Sequence, residues 1–154
     1  MTVTNSTFSG NSATNGGGIV NGIRSTLRVT NSTFSGNTAT KGGGIQSAGA
    51  VTVTNSTFSG NSAPTGGGIG NTGTVRLAGT IFAAGLNGDN CAGIGTINDN
   101  GYNLSDDASC GFSGTSADNA TLNLGALADN GGPTQTHLPG VGSDAIGAIP
   151  NGTT

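Results

Sequence analysis

The 154-residue sequence has no Glu and no Trp, and only 7% of its residues are charged. Four residues are basic against seven acidic ones, which gives a formal net charge of −3 at pH 7. Because binding to phosphates needs clustered Lys and Arg, this composition argues against a nucleic-acid partner. No apolar run approaches the roughly 20 residues that a membrane-spanning helix needs. The sequence therefore predicts no transmembrane helix.

The sequence is instead rich in small and uncharged polar residues, with 31 Gly and many Asn, Ser and Thr. Low hydrophobicity is also found in disordered chains, but those are usually rich in charge and poor in β-branched residues. Here Val, Ile, Leu and Phe recur at fixed positions. This regularity favours a repeat architecture over a flexible tract.

One unit is written four times in the first half of the chain. The stretch TNSTFSGNSA at 4–13 returns almost unchanged at 30–39 and 54–63, and the units are 26, 24 and 24 residues long. Asn, Ser, Thr and Gly are poor helix formers, and no helical apolar stripe is present. A period in the low twenties with β-branched residues is typical of a parallel β-solenoid. We predict an all-β fold with about four coils over 1–86 and an irregular cap over 87–154.

The alternation within a unit predicts which side chains face inward. In VTVTNSTF, Val51 and Val53 alternate with Thr52 and Thr54, so the valines are expected inside and the threonines outside. The alternation must break before Phe58, and Asn tolerates the left-handed backbone that a bend requires. We therefore predict a stack of phenylalanines in the core and buried ladders of hydrogen-bonded asparagines. The stack is Phe8, Phe34, Phe58 and Phe82, and the ladders are Asn5, Asn31, Asn55 and Asn11, Asn37, Asn61.

Two segments resemble known families. FSGN at 8–11, 34–37 and 58–61, each followed by GGGI, resembles the FxxN and GGA(I/L/V) repeats of the polymorphic outer membrane protein family. GYN at 101–103 and LADNGGPTQTH at 127–137 are similar to the terminal region of bacterial choice-of-anchor Q domain proteins. The resemblance implies a right-handed parallel β-helix on a secreted or surface-attached bacterial protein. Since the first repeat starts at once without a signal peptide, we expect an N-terminally truncated piece of a longer protein.

The two cysteines, Cys91 and Cys110, bracket a Gly-rich segment. In the exported protein that the resemblance implies, such a pair predicts a disulfide, which would stabilise the fold by about 3 kcal/mol. No His lies near them in the sequence, which argues against a zinc site.

A calcium loop is one interpretation of TINDNGYNLSDD at 96–107. Asn98, Asn100 and Asp107 fall at ligand positions of the alternating Asp/Asn pattern, but the first position is Thr96 instead of Asp. The alternative is an ordinary polar turn. No cofactor is expected.

Catalysis on polysaccharides, known for other β-helices, needs paired carboxylates on neighbouring coils. The first acid of this chain is Asp89, which follows all four repeats, and the single His137 has no nucleophile motif beside it. We predict a structural hydrogen-bonding role for His137 and a non-enzymatic, adhesin-like display module. The alternatives are a carbohydrate-active, pectate-lyase-like module and, third, an ice-binding solenoid with exposed Thr-x-Thr.

The predicted binding face consists of the outward residues of the VTVT strands. A surface carbohydrate or a protein is the expected partner, and the basic first half and acidic second half would also favour end-to-end self-association. The residues of this face are Thr2, Thr4, Arg28, Thr30, Thr52, Thr54 and Arg76.

Overall fold

The structure is a computed structural model that describes residues 1–83, 85 and 87–150. It forms three parallel sheets stacked as a β-solenoid of about four turns, with no helix among the described residues. The predicted all-β parallel solenoid is confirmed.

Each coil contributes one short strand to each sheet. The first sheet contains β1 (Thr2–Thr4), β4 (Thr26–Thr30), β7 (Ala50–Thr54), β10 (Thr74–Ala78) and β13 (Thr96–Asp99). The second contains β2 (Thr7–Ser9), β5 (Thr33–Ser35), β8 (Thr57–Ser59), β11 (Ile81–Ala83) and β14 (Leu104–Ser105). The third contains β3 (Ile19–Asn21), β6 (Ile45–Ser47), β9 (Ile69–Asn71) and β12 (Cys91–Ala92).

The pairing register places equivalent positions of successive repeats above one another. Val29 pairs with Val53, and Val53 pairs with Leu77, so one column of apolar side chains runs through the core. The strand β12 pairs with β9 of the third coil, and β13 and β14 pair with β10 and β11 of the fourth coil. Regular pairing thus runs past the predicted boundary at 86, and the irregular part of the chain begins after Ser105.

The predicted alternation holds in the strands. Val51 and Val53 are buried at 1% and 0% exposure, whereas Thr52 and Thr54 on the opposite side are partly exposed. The change of direction between the first and second sheets occurs at Asn55, whose φ is 49°. The left-handed backbone therefore breaks the alternation at the residue that the sequence indicated.

The phenylalanines stack through the core as predicted. The ring centroids of Phe8, Phe34, Phe58 and Phe82 are 4.9, 4.7 and 4.8 Å apart in succession, and the rings are nearly parallel. Phe112, from the region after the strands, lies 6.1 Å from Phe82 and closes the stack at that end. Burying each such side chain contributes about 1.5–3 kcal/mol.

Glycine is needed where coils approach closely. A Cβ on Gly43 would lie 2.4 Å from the carbonyl oxygen of Gly67 and 2.7 Å from the amide nitrogen of Ser62, which are both backbone atoms. The GGG triplet thus allows the backbone of one coil to lie directly on the next.

A disulfide and an apolar cluster help to tie the segment after the strands to the solenoid. Cys91 in β12 forms the predicted disulfide with Cys110. Further on, Leu122 and Ala120 form a second apolar cluster with Leu104, and Ile81 of the second sheet packs against it. The C-terminal segment therefore covers part of the outer side of the second sheet. The described residues include no helix long and apolar enough to span a membrane.

Candidate functional site

The predicted binding residues lie together on the outer side of the first sheet, which we call the Thr–Arg face. Thr2 pairs with Arg28, Arg28 with Thr52, and Thr52 with Arg76, so these residues form one straight row. A parallel row beside it contains Thr4, Thr30 and Thr54. The face is therefore defined by Thr2, Thr4, Arg28, Thr30, Thr52, Thr54 and Arg76.

The charge on this face is of one sign. Arg28 and Arg76 are exposed and stand two coils apart, which corresponds to about 10 Å between their strands. The outward positions of the five strands carry no acid, because Asp99 of β13 continues the inward column that contains Leu77. The face therefore presents two regularly spaced guanidinium groups among hydroxyl groups.

One of the two predicted asparagine ladders is present, with Asn37 and Asn61 buried and Asn11 exposed at its end. Asn11 Nδ2 donates to Asn37 Oδ1 at 3.0 Å, and Asn37 Nδ2 donates to Asn61 Oδ1 at 2.9 Å. The same Nδ2 of Asn37 also donates to the carbonyl of Phe8 at 2.9 Å, and Asn37 has 0% exposure. This ladder satisfies polar groups beside the phenylalanine stack, as buried polar groups require.

The other predicted ladder is wrong. Asn5, Asn31 and Asn55 are exposed, and in the part of the chain that the structure describes no hydrogen bond joins their side-chain amides. The serine that follows each of them forms the ladder instead. Ser32 Oγ accepts from the backbone amide of Ser6 at 3.2 Å and donates to the carbonyl of Thr30 at 2.9 Å.

The reason is the left-handed backbone at the bend. The φ angles of Asn5, Asn31 and Asn55 are 48°, 50° and 49°, and this conformation directs the asparagines outward while Ser32 and Ser56 are buried at 2% exposure. Asn and Ser are adjacent in the repeated NST, so the repeated serine was a sequence signal from which the serine ladder could have been predicted. The bend that buries the serine therefore exposes the asparagine next to it.

The exposed asparagines line a cleft at the corner between the first and second sheets. A hollow of about 330 Å³ lies between them and an opposing chain segment. We call it the corner cleft, and its opposed walls are Asn5, Asn31 and Asn55 on one side and Pro133, Thr134 and Thr136 on the other. The far wall was missed by sequence reasoning because it comes from more than 70 residues further along the chain.

Hydrogen bonds to the second sheet fix that wall. Thr7 Oγ1 donates to the carbonyl of Gln135 at 2.8 Å. His137 Nδ1 lies 2.6 Å from the carbonyl of Gly125, and its Nε2 lies 3.0 Å from Ser35 Oγ. Because a carbonyl only accepts, the Nδ1 atom carries the proton and Nε2 accepts from the Ser35 hydroxyl. His137 thus has the structural hydrogen-bonding role that was predicted for it.

The proposed calcium residues are not assembled into a loop site. Asn98 lies in β13 of the first sheet, where its Nδ2 approaches the carbonyl of Val75, whereas Asp107 follows β14 of the second sheet. Both carboxylate oxygens of Asp107 accept hydrogen bonds, from the Asn90 amide at 2.8 Å and from Ser109 Oγ at 2.6 Å. Within the described residues, no group of three or more His, Cys, Asp or Glu side chains could hold a metal ion.

Three carboxyl groups of the C-terminal region have shifted pKa values. Burial alone would raise the pKa of Asp99, but hydrogen bonds from Ser116 and from backbone amides outweigh it and lower the pKa. Asp107 behaves in the same way through Ser109 and Asn90. Burial raises the pKa of Asp118, although the Phe112 amide donates to it, and its Oδ1 atom has no hydrogen-bond partner among the residues that the structure describes. The hydrogen bonds accepted by Asp99 and Asp107 thus hold the irregular region together.

Comparison with known proteins gives one match. Residues 31–48 match the Chlamydia polymorphic membrane protein repeat. The match covers the second coil from Asn31 through β6 and includes Phe34, Asn37 and the Gly42–Gly44 triplet. No curated protein and no solved structure matches the chain. The matched repeat and the β-solenoid together fit a structural module of a surface protein.

Proposed function

We propose that this chain is a non-enzymatic adhesion module of a bacterial surface protein and that it binds its partner through the Thr–Arg face. The observation that carries the proposal is the row Thr2, Arg28, Thr52 and Arg76 on a flat sheet surface. The similarity of LADNGGPTQTH to choice-of-anchor Q domain proteins, which are exported, supports the same location.

The partner is a surface carbohydrate that carries carboxylate groups. Arg binds carboxylates through two parallel N–H donors, so two guanidinium groups about 10 Å apart suit an extended acidic polymer. The threonine hydroxyls around them donate to and accept from sugar hydroxyls. A protein surface rich in acidic side chains would use the same two arginines.

The test is binding of the purified chain to immobilised polygalacturonate at low and at physiological salt. We expect the double variant Arg28→Gln with Arg76→Gln to bind several-fold more weakly, because each exposed charged contact contributes up to about 1 kcal/mol. Arg24→Gln is the matched control, since Arg24 is exposed but lies in the turn between β3 and β4. Equal binding by the double variant and the control would refute the role of this face.

Two further measurements separate the alternatives. Release of new reducing ends or of unsaturated products from polygalacturonate would overturn the non-enzymatic proposal in favour of a carbohydrate-active module. Thermal hysteresis and shaping of ice crystals by the chain would favour an ice-binding solenoid instead.

A further inference from the structure

The corner cleft combines a regular spacing with side-chain amides that have no hydrogen-bond partner in the described part of the chain. Asn5, Asn31 and Asn55 occupy successive coils, and since strands in a sheet lie about 4.8 Å apart, their amides repeat at that step. Their nearly identical φ angles give the three side chains the same starting direction. Each amide offers two donors and one acceptor oxygen to a ligand.

A second hollow extends the cleft beyond Asn55. Its volume is about 340 Å³, and Asn55 borders both hollows. At the equivalent position of the fourth coil the asparagine is replaced by Gly79, which keeps the left-handed backbone at φ 56° and allows the Asn55 side chain to lie against it, since a Cβ there would be 2.6 Å from Asn55 Oδ1. Asn100 and Tyr102, the only tyrosine of the chain, line this end.

We propose that the corner cleft and this second hollow bind an extended, uncharged polysaccharide chain, one sugar per coil. Hydroxyl groups both donate and accept, so they match the free amides of the asparagines and the hydroxyls of Thr134 and Thr136. Tyr102 supplies an aromatic surface with a polar end, which suits the apolar face of a sugar ring. Among the described residues no charged side chain lines either hollow, which selects a neutral polymer.

The geometry disfavours a peptide in the same place. An extended peptide advances about 3.3 Å per residue and so falls out of step with amides that repeat every 4.8 Å or so. The cleft also offers no free strand edge, because the backbone amides of Asn5, Asn31 and Asn55 already donate to Thr30, Thr54 and Ala78 of the next coil. An extended β-1,4-linked glycan, by contrast, advances by a step close to one coil.

The experiment is calorimetric titration of the full chain with cellohexaose, mannohexaose and N-acetylchitohexaose as probes. Asn31→Gly removes the central amide but tolerates the left-handed backbone. Loss of its one or two hydrogen bonds should weaken the binding of at least one probe by about tenfold. Tyr102→Gly, at φ 57°, should weaken it to a similar degree.

The matched control is Asn119→Gly, because Asn119 is also exposed with a φ of 56° but lines neither hollow. Thermal melts of all variants check that they fold. Absence of binding by every probe, or equal weakening by Asn31→Gly and Asn119→Gly, would overturn the inference.

Different results would refute the binding role of the corner cleft and that of the Thr–Arg face. Arg28→Gln with Arg76→Gln should leave oligosaccharide binding unchanged, because neither arginine lines the cleft. Binding to polygalacturonate without any oligosaccharide binding would refute the cleft alone. Oligosaccharide binding that depends on Asn31, without arginine-dependent binding to polygalacturonate, would refute the Thr–Arg face alone.

Discussion

The buried asparagine ladder permits a sharp test, because an exposed asparagine of the same coil serves as its control. Asn37→Asp changes one amide nitrogen to oxygen in a side chain of 0% exposure. The Nδ2 donors to the Phe8 carbonyl and to Asn61 Oδ1, both at 2.9 Å, are lost, and an oxygen then faces two oxygens. Asn31→Asp makes the same change on an exposed side chain without a hydrogen-bond partner among the described residues.

The magnitude follows from the two side-chain hydrogen bonds that Asn37→Asp removes, although Asn61 Oδ1 keeps the backbone amide of Asn37 as a donor at 3.0 Å. Each lost hydrogen bond costs about 0.5–1.5 kcal/mol, and the new oxygen that is buried without a donor costs about a further 1–3 kcal/mol, so the free energy of unfolding should fall by about 2–6 kcal/mol. In a domain of this size 1 kcal/mol shifts Tm by roughly 2–4 °C. We therefore expect Tm to fall by on the order of 10 °C for Asn37→Asp and to change by no more than about 2 °C for Asn31→Asp.

The pH dependence supplies a second readout. Burial among acceptors raises the folded-state pKa of the introduced carboxyl above its unfolded value near 4. Such a group destabilises the fold increasingly as the pH rises through its folded pKa, so the deficit should shrink on acidification. The assay is thermal unfolding followed by far-UV circular dichroism between pH 4 and 8. Equal Tm values for the two variants at neutral pH would refute the assignment of Asn37 to a hydrogen-bonded core ladder.

Three other perturbations test the core and the C-terminal region. Phe58→Ala should lower the free energy of unfolding by about 3–5 kcal/mol, and Phe8→Ala by less, because Phe8 ends the stack and is only partly buried. Reduction of the disulfide at Cys91, which closes a loop with a sequence separation of 19, should cost about 3 kcal/mol in chemical denaturation. Because the pKa values of Asp99 and Asp107 are lowered, their ionised forms stabilise the fold above about pH 4, and Tm should fall as the pH drops through their folded pKa values.

Each of these predictions has a result that contradicts it. Equal losses for the central and terminal phenylalanines would mean that the rings do not form one continuous stack. Unchanged denaturation after reduction would show that the loop is held without its covalent link. The raised pKa of Asp118 acts in the opposite direction, since it destabilises the fold as the pH rises. A Tm that rises steadily as the pH is lowered would therefore mean that Asp118 affects the stability more than Asp99 and Asp107 together.

The repeat period and the alternation were sufficient to predict the solenoid. The spacing of 24 residues between Val29, Val53 and Leu77 places equivalent side chains at the same position of each coil. The same spacing between the phenylalanines predicts their stack from the sequence alone. The disulfide followed from two cysteines and the exported family that the repeats resemble. The match over residues 31–48 supports the same type of repeat.

Only the tertiary structure decided which residue of each NST triplet lies inside. The pattern indicated a bend at Asn55 but not which of the adjacent side chains faces the core. In the structure the buried residue is Ser56. Likewise, the wall at Pro133 and Thr134 is brought to Asn31 by bonds such as that of Thr7 with Gln135. Periodicity determines what stacks along the axis because each coil repeats its neighbour. The wall that faces the coils belongs to a segment that does not repeat. The cleft could therefore be recognised only in the tertiary structure.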